Sequence, residues 1–252
     1  MKIKIVTPII SEGFNPAAIK EFTVAARPDN HVENTFISSG PASIESEFDE
    51  ALAVPATLAA VKQAEEDGFD AVVINCMGDP GLKPAREIVR IPVLGPAESS
   101  MHLAAQLGQR FSVVTVLDSV VPALENLARI YGVDEKLASV RVVNIPVLEL
   151  DADRARMVRA LIDESTKAVE LDGAAVIIFG CTGMAGVARE IQDALLARGL
   201  SVPVIDTAIY ALKQAEVLVD LGLAHSKRTY APPPRKVIKG YPAFGPAPVA
   251  SS

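Results

Sequence analysis

An apolar, β-branched run that ends in a cysteine, with a glycine two positions later, occurs twice in this chain. The first copy reads Asp70-Ala-Val-Val-Ile-Asn-Cys76-Met-Gly78 and the second Ala175-Val-Ile-Ile-Phe-Gly-Cys181-Thr-Gly183. These two are the sequence's only cysteines, and the offset of 105 between them also relates Val72, Val73 and Ile74 to Ile177, Ile178 and Phe179. A run of this kind reads as a buried strand that delivers a thiol to a loop. Two such deliveries point to equivalent strand ends and a two-sided site.

The correspondence extends along the chain. Gly68 matches Gly173 at 105, Ile3-Lys-Ile-Val-Thr7 matches Phe111-Ser-Val-Val-Thr115 at 108, and Ile91-Pro-Val-Leu matches Val202-Pro-Val-Ile at 111. Each half is expected to run strand, long connection with a helix, strand ending in Cys, helix, strand opened by Pro, helix. Helical spacing supports this: Leu52, Ala56, Ala59, Ala60 and Ala64 would form one face between Ala51 and Glu66, and Met157, Leu161, Ile162, Ala168 and Val169 another, each stopped by its glycine. Asn15-Pro16 reads as a further helix start. Alternating strands and helices imply parallel sheets covered on both faces. The predicted fold is therefore α/β, with two similar lobes of parallel sheet flanked by helices. A pseudo-twofold relates the lobes and the site lies in the cleft between them. The boundaries are set at 1–97 plus about 208–252 for the first lobe and 98–207 for the second.

The 252 residues, half of them hydrophobic, can fill such cores, mainly with aliphatic side chains because Trp is absent. A formal charge of −7 and a pI near 5.1 argue against nucleic acid or an anionic membrane as partner. No apolar stretch is long enough to span a bilayer, and Met1-Lys-Ile-Lys-Ile-Val reads as a strand rather than a secretory leader. A cytoplasmic location with reduced thiols is the expectation. His31, His102 and His225 are scattered, so no metal-ligand spacing is present and no metal is expected. Neither G-x-G-x-x-G nor a Walker-A sequence occurs, so no nucleotide cofactor is expected. A homo-oligomer is expected. Tyr230-Ala-Pro-Pro-Pro234 forms a stiff arm lying across its own lobe or a neighbour, and Ala243 to Ser252 is Pro/Ala/Ser-rich and expected to fray.

A lone cysteine after a strand is ordinarily a small buried hydrophobe, but a matched pair with trailing glycines favours chemistry. Redox pairs usually lie close together, as in C-x-x-C, and a disulfide is unexpected in a reducing compartment. Gly78-Asp79-Pro80 reads as a helix start, with Asp79 as N-cap and Pro80 in the first turn, which would stabilise a Cys76 thiolate. Two thiols on opposite sides of one carbon suit two-base racemisation: one removes a proton beside a carbonyl, amides hold the enolate, and the other returns a proton from the far face. Glu45 and Glu47 read as solvated loop charges with one bordering the site, His102 as a core-edge residue, and Glu98 and Asp206 as loop ties.

At these residues the chain resembles the aspartate/glutamate racemase superfamily, and within it the hydantoin racemase branch. The similarity rests on Asn75-Cys-Met-Gly-Asp-Pro-Gly-Leu82, Gly180-Cys-Thr-Gly-Met184, Gly40-Pro-Ala-Ser-Ile-Glu-Ser-Glu-Phe-Asp-Glu50 and the tail Thr229-Tyr-Ala-Pro-Pro-Pro. The resemblance implies a cofactor-independent racemase with Cys76 and Cys181 as the acid/base pair. It also implies substrate contacts from Met77, Gly78, Thr182, Gly183 and Thr115. Relatives commonly carry an Asn-Pro-Asn-type turn where this chain has Thr7-Pro-Ile-Ile, so apolar contacts to a 5-substituent are expected from Ile9 and Ile44. The expected substrate is a 5-substituted hydantoin. Allantoin and an aspartate- or glutamate-type amino acid are the alternatives within the superfamily. A decarboxylase on this scaffold would predict a single cysteine, an isomerase would use a cysteine as nucleophile, and a different class is a non-catalytic binding or thiol-sensing protein.

Overall fold

The computed structural model describes residues 1–11, 17–234 and 236–244; Asn15 and Pro16, expected to start a helix, and the tail beyond Phe244 lie outside them. The first half contains β1 (Lys2–Thr7), α1 (Ala17–Ala25), β2 (His31–Phe36), α2 (Glu47–Glu66), β3 (Ala71–Ile74), α3 (Leu82–Ile88), β4 (Val93–Leu94) and α4 (Pro96–Leu107). The second repeats the order with β5 (Phe111–Thr115), α5 (Val121–Ile130), β6 (Leu137–Val142), α6 (Arg154–Glu170), β7 (Val176–Phe179), α7 (Ala188–Ala197), β8 (Val204–Ile205) and α8 (Thr207–Asp220).

Each half builds a parallel sheet, ordered β2-β1-β3-β4 and β6-β5-β7-β8. The sequence offsets reappear as strand register. Ile3 pairs with Ala71 and Phe111 with Val176; Val72 pairs with Val93 and Ile177 with Val204. The prolines ahead of β4 and β8 act alike, since the Val72 amide donates to Pro92 O and the Ile177 amide to Pro203 O. The expected layout omitted β2 and β6. Both are edge strands whose side chains are largely half-exposed, so their sequences mix polar and apolar residues without a buried run.

Alternate strand residues face opposite helix layers. In the first lobe Val72 and Ile74 pack against α2 and α3, while Ile3, Ile5 and Val73 pack against Phe22 of α1 and Ala208, Ala211 and Leu212 of α8. In the second, Ile177 and Phe179 face α6 and α7, while Val176 and Ile178 face α5 and Ala97, Met101 and Ala104 of α4. The last helix of each half thus covers the sheet of the other half, and α4 and α8 pack together. This reciprocal exchange is the pseudo-twofold relation. On this packing we propose the lobe boundaries at 1–97 with the chain from about 208 onward, and 98–207.

The face expected on α2 is rotated. Ala53, Thr57, Val61 and Ala64 are its buried residues, and Leu52 is half-exposed. The C-terminal arm lies across its own first lobe. Lys227 Nζ donates to the carbonyls of Arg86 and Val89 at the end of α3, and Tyr230 sits against the Arg86 guanidinium. The His225 ring meets the Val93 backbone at the open edge of β4. Among the described residues, no helix is long and apolar enough to cross a membrane.

Ile177 is fully buried between β7 and α6/α7, where truncation leaves a cavity that the surrounding helices cannot fill. Ile177→Ala is expected to lower stability by about 2–5 kcal/mol, read from the urea unfolding midpoint.

Candidate active site

The two cysteines leave the C-terminal ends of β3 and β7, where ligands of parallel sheets bind. Pairing continues one residue beyond each strand: the Asn75 amide donates to Val6 O at 2.8 Å and the Gly180 amide to Val114 O at 2.7 Å. The chain then turns into the cysteine loops. In the first loop the Gly78 N–H points at Cys76 Sγ, 3.5 Å away, and in the second the Gly183 amide favours the Cys181 thiolate. The loops also touch each other, because Thr182 Oγ1 donates to the Asn75 carbonyl at 3.2 Å. One hydrogen bond therefore joins the residue before Cys76 to the residue after Cys181, across the lobes.

Both cysteines open onto one cavity of about 550 Å³, part of it open to solvent. Its apolar wall is Ile44, Met77, Val116, Val120, Leu124 and Leu127, and its charged groups are Glu47 and Glu50. No Lys, Arg or His is among the described residues lining it. Glu50 lies over Gly78; a Cβ at that glycine would fall 2.9 Å from Glu50 Oε2, so only glycine leaves the carboxyl its place. Glu45 reaches across the cleft instead. Its carboxylate accepts the Val147 N–H at 2.7 Å and its carbonyl accepts the Ser119 hydroxyl at 2.7 Å, clasping the Gly40–Glu50 segment to the second lobe.

Burial pushes both thiols upward. Cys181 rises to about 11, with the Gly183 amide opposing the shift; Cys76 rises further, because Cys181, Glu50 and Asp79 add like charge to desolvation. The expected thiolate stabilisation by a helix start after Cys76 is not present. α3 begins only at Leu82, its N-cap is Gly81, and Asp79 has a left-handed backbone at φ 49°. Asp79 caps a different helix, accepting the Ala97 and Glu98 amides of α4 at 3.0 and 2.8 Å, and the Tyr131 hydroxyl at 2.7 Å. Its burial raises its carboxyl to about 7 against the pull of those donors.

Of the expected contacts, Met77, Gly78, Thr182 and Ile44 line the cavity with the two thiols. Gly183 serves through its amide on Cys181. Thr115 is not part of the lining: it is fully buried, donates to Gly180 O at 3.1 Å, and packs where a Cβ on Gly180 would lie 2.4 Å from its own Cβ. Ile9 is also absent from the lining, being buried behind backbone pairing with Ile37. His102 is exposed rather than at a core edge. The sequence reading missed the α5 wall, although Val120, Leu124 and Leu127 recur at helical spacing. It also missed Glu50, which no local signal separates from neighbouring acidic residues.

Comparison with known proteins places the whole chain in a family. Residues 13–215 match the family described as Asp/Glu/Hydantoin racemase. A hydantoin racemase from Pseudomonas sp. (strain NS671) is 41% identical over 241 residues, covering 95% of each chain. One from Rhizobium meliloti is 38% identical, covering 96% of this chain and 98% of its own. The solved structure of an allantoin racemase from Klebsiella pneumoniae superposes with a TM-score of 0.90 at 34% identity, covering 98% of this chain and 100% of that one.

The ionisation order is measurable. Thiolate absorbance of Cys76→Ser is expected to titrate near pH 11, reporting Cys181, and that of Cys181→Ser at higher pH. Because burial disfavours the thiolate, alkylation of both should accelerate as pH rises, with Cys181 leading while both thiols remain mainly protonated.

Proposed function

The chain belongs to the Asp/Glu/Hydantoin racemase family, and from that premise we propose that it inverts C5 of 5-substituted hydantoins by proton transfer between Cys76 and Cys181. The observation that carries the proposal is the placement of two thiols from matched loops at one cavity. In the hydantoin ring the C5 proton lies next to the C4 carbonyl. A thiolate on one side takes that proton, and the C–H electron pair moves onto the carbonyl oxygen as an enolate. C5 becomes planar, and the thiol on the other side delivers its proton to the opposite face. The product is the mirror image and the two sulfurs have exchanged protonation states. The backbone amides of Met77 and Thr182 are the donors we assign to the enolate oxygen, those of Gly78 and Gly183 facing the sulfurs. The chemistry is complete without a cofactor.

The lining supports a neutral ring with an apolar substituent. An amino-acid substrate brings a carboxylate, which calls for a cationic partner, whereas Glu47 and Glu50 would repel it. Allantoin carries a polar ureido group at C5, which the apolar wall of Ile44, Val116, Val120, Leu124 and Leu127 favours less than an alkyl or aryl substituent. An acidic chain with two reduced thiols also fits the cytoplasm. Phe48 and Leu52, exposed one turn apart on α2, support a homo-oligomer.

Single enantiomers of alkyl and aryl hydantoins, incubated in deuterium oxide, are expected to racemise with deuterium entering C5. Cys76→Ser and Cys181→Ser should each lose racemisation by about 10²-fold or more, while each still exchanges the proton of one enantiomer. Full racemisation by either variant would sink the two-base scheme, and faster turnover of allantoin than of alkyl hydantoins would reassign the substrate.

Glu50→Gln removes the charge over Gly78 while keeping the shape. Inhibition by N-carbamoyl amino acids, the ring-opened carboxylate counterparts of hydantoins, should strengthen about tenfold, equivalent to about 1.4 kcal/mol. Unchanged inhibition constants would show that Glu50 plays no part in excluding carboxylates.

A further inference from the structure

The residues that open α4 and α8, Gly95 and Asp206, correspond at the offset of 111 that relates β4 to β8. Asp206 caps its own helix, one oxygen accepting the Ile209 amide at 3.2 Å. Its other oxygen accepts the Gly186 amide at 2.6 Å, in the loop that follows Cys181. Gly95 has no side chain with which to do the same. The carboxylate comes instead from Asp79, in the loop that follows Cys76, through its bonds to the Ala97 and Glu98 amides. A Cβ on Gly95 would fall 2.4–2.6 Å from the carboxyl atoms of Asp79, so that carboxylate fills the space a side chain at position 95 would take. Both lobes therefore contain the same trio of helix start, carboxylate and cysteine loop. Only the covalent attachment of the carboxylate differs.

Capping alone does not call for this arrangement, since an aspartate at position 95 would cap α4 as Asp206 caps α8. The feature common to both lobes is the link between the cysteine loop and the exchanging helix. In the first lobe the link is held at a cost: Asp79 is buried with a left-handed backbone that a non-glycine residue adopts unfavourably. The Tyr131 hydroxyl ties the same carboxylate to the end of α5, whose preceding turns supply Leu124 and Leu127 to the cavity.

We propose that Asp79 and Asp206 are positioning residues, each fixing one cysteine loop against the first turn of a lobe-exchanging helix so that the two thiols face one carbon. The proposal rests on the two-thiol reading of the site. It assigns Asp79 to the placement of Cys76 and Asp206 to that of Cys181.

The test separates the cap from the link. Asp79→Gly, which suits the left-handed backbone, removes both cap and link; Asp79→Gly combined with Gly95→Asn restores the cap without the link, because the single amide oxygen serves the α4 amides and the NH2 group accepts nothing from the cysteine loop. The single variant is expected to lose both Tm and kcat. The double variant should regain Tm while kcat stays about tenfold or more below wild type. In deuterium oxide, the enantiomer deprotonated by Cys181 should then show exchange with retention in excess of inversion, because Cys76 no longer delivers its proton well. Asp206→Asn, which keeps a capping oxygen, should shift that ratio for the opposite enantiomer. Recovery of kcat together with Tm in the double variant would reduce Asp79 to a helix cap and overturn the proposal. If Asp79→Gly does not fold, Asp79→Asn and the double variant carry the same comparison. Alkylation of Cys76 in a Cys181→Ser background needs no substrate. An altered rate in the double variant upholds the link even if wild type racemises no hydantoin, and an unaltered rate overturns it.

Discussion

The packing of α4 against α8, each helix lying on the sheet of the other lobe, is the contact on which the rest of the molecule depends. Two lobes joined by a linker move relative to one another unless their interface is large and apolar. Here the interface is built into both cores: Ala97, Met101 and Ala104 belong to the second lobe's packing, and Ala208, Ala211 and Leu212 to the first's. Separating the lobes would expose both sheets. The Thr182–Asn75 bond and the Glu45 clasp to Val147 and Ser119 then adjust a relation that the helices have already fixed. Removal of a proton by one sulfur and delivery of another by the second tolerate little drift, so in the two-base scheme this rigidity is a chemical requirement as well as a structural one.

Burial that excludes water also makes the thiols poorer acids. The cavity offsets this only in part, with one backbone amide on each sulfur, and the nearby carboxylates Glu45, Glu50 and Asp79 work against ionisation. In this environment a thiolate is an unstable base, strongly inclined to take a proton back. That inclination suits removal of a weakly acidic C5 proton, because a base whose pKa approaches that of the carbon acid transfers with a smaller uphill step. The fraction of enzyme carrying a thiolate falls as that match improves. The structure places the two sulfurs unequally on this scale, with Cys181 the more acidic.

The parts of the fold legible from sequence were those fixed by burial on both faces. β3 and β7 appear as continuous apolar runs and β1 and β5 as mainly aliphatic ones, broken by Lys4 and Ser112, and their offsets of 105 and 108 return as the registers of both sheets. β2 and β6 stayed hidden because an edge strand contacts solvent along one side, so charges such as Glu33 and Arg141 interrupt its pattern. The site was legible where it lies on the chain beside the cysteines, at Met77, Gly78 and Thr182, and obscure where distant elements complete it. Thr115 looked available at a strand end, but its hydroxyl is spent on Gly180. Asp79 followed by proline has the local form of a cap for the next helix. Its true partner, α4, is recognisable only from the glycine at 95, whose missing side chain makes room for it.

The duplication supplies symmetry of position but not of environment, and the reaction limits how that inequality can act. Enantiomers in an achiral solvent have equal free energies, so the equilibrium constant for racemisation is one. The ratio kcat/KM must then be the same from either side, however different the two sulfurs are. Unequal acidity and unequal anchoring can therefore appear only as matched changes in kcat and KM, or in the partition of the enolate between inversion and return. Asp79 and Asp206 are attached in opposite senses, and Glu50 acts on Cys76 whereas Glu45 and Asp151 act on Cys181. The two copies were free to diverge in this way because thermodynamics, rather than structural identity, holds the two directions equal.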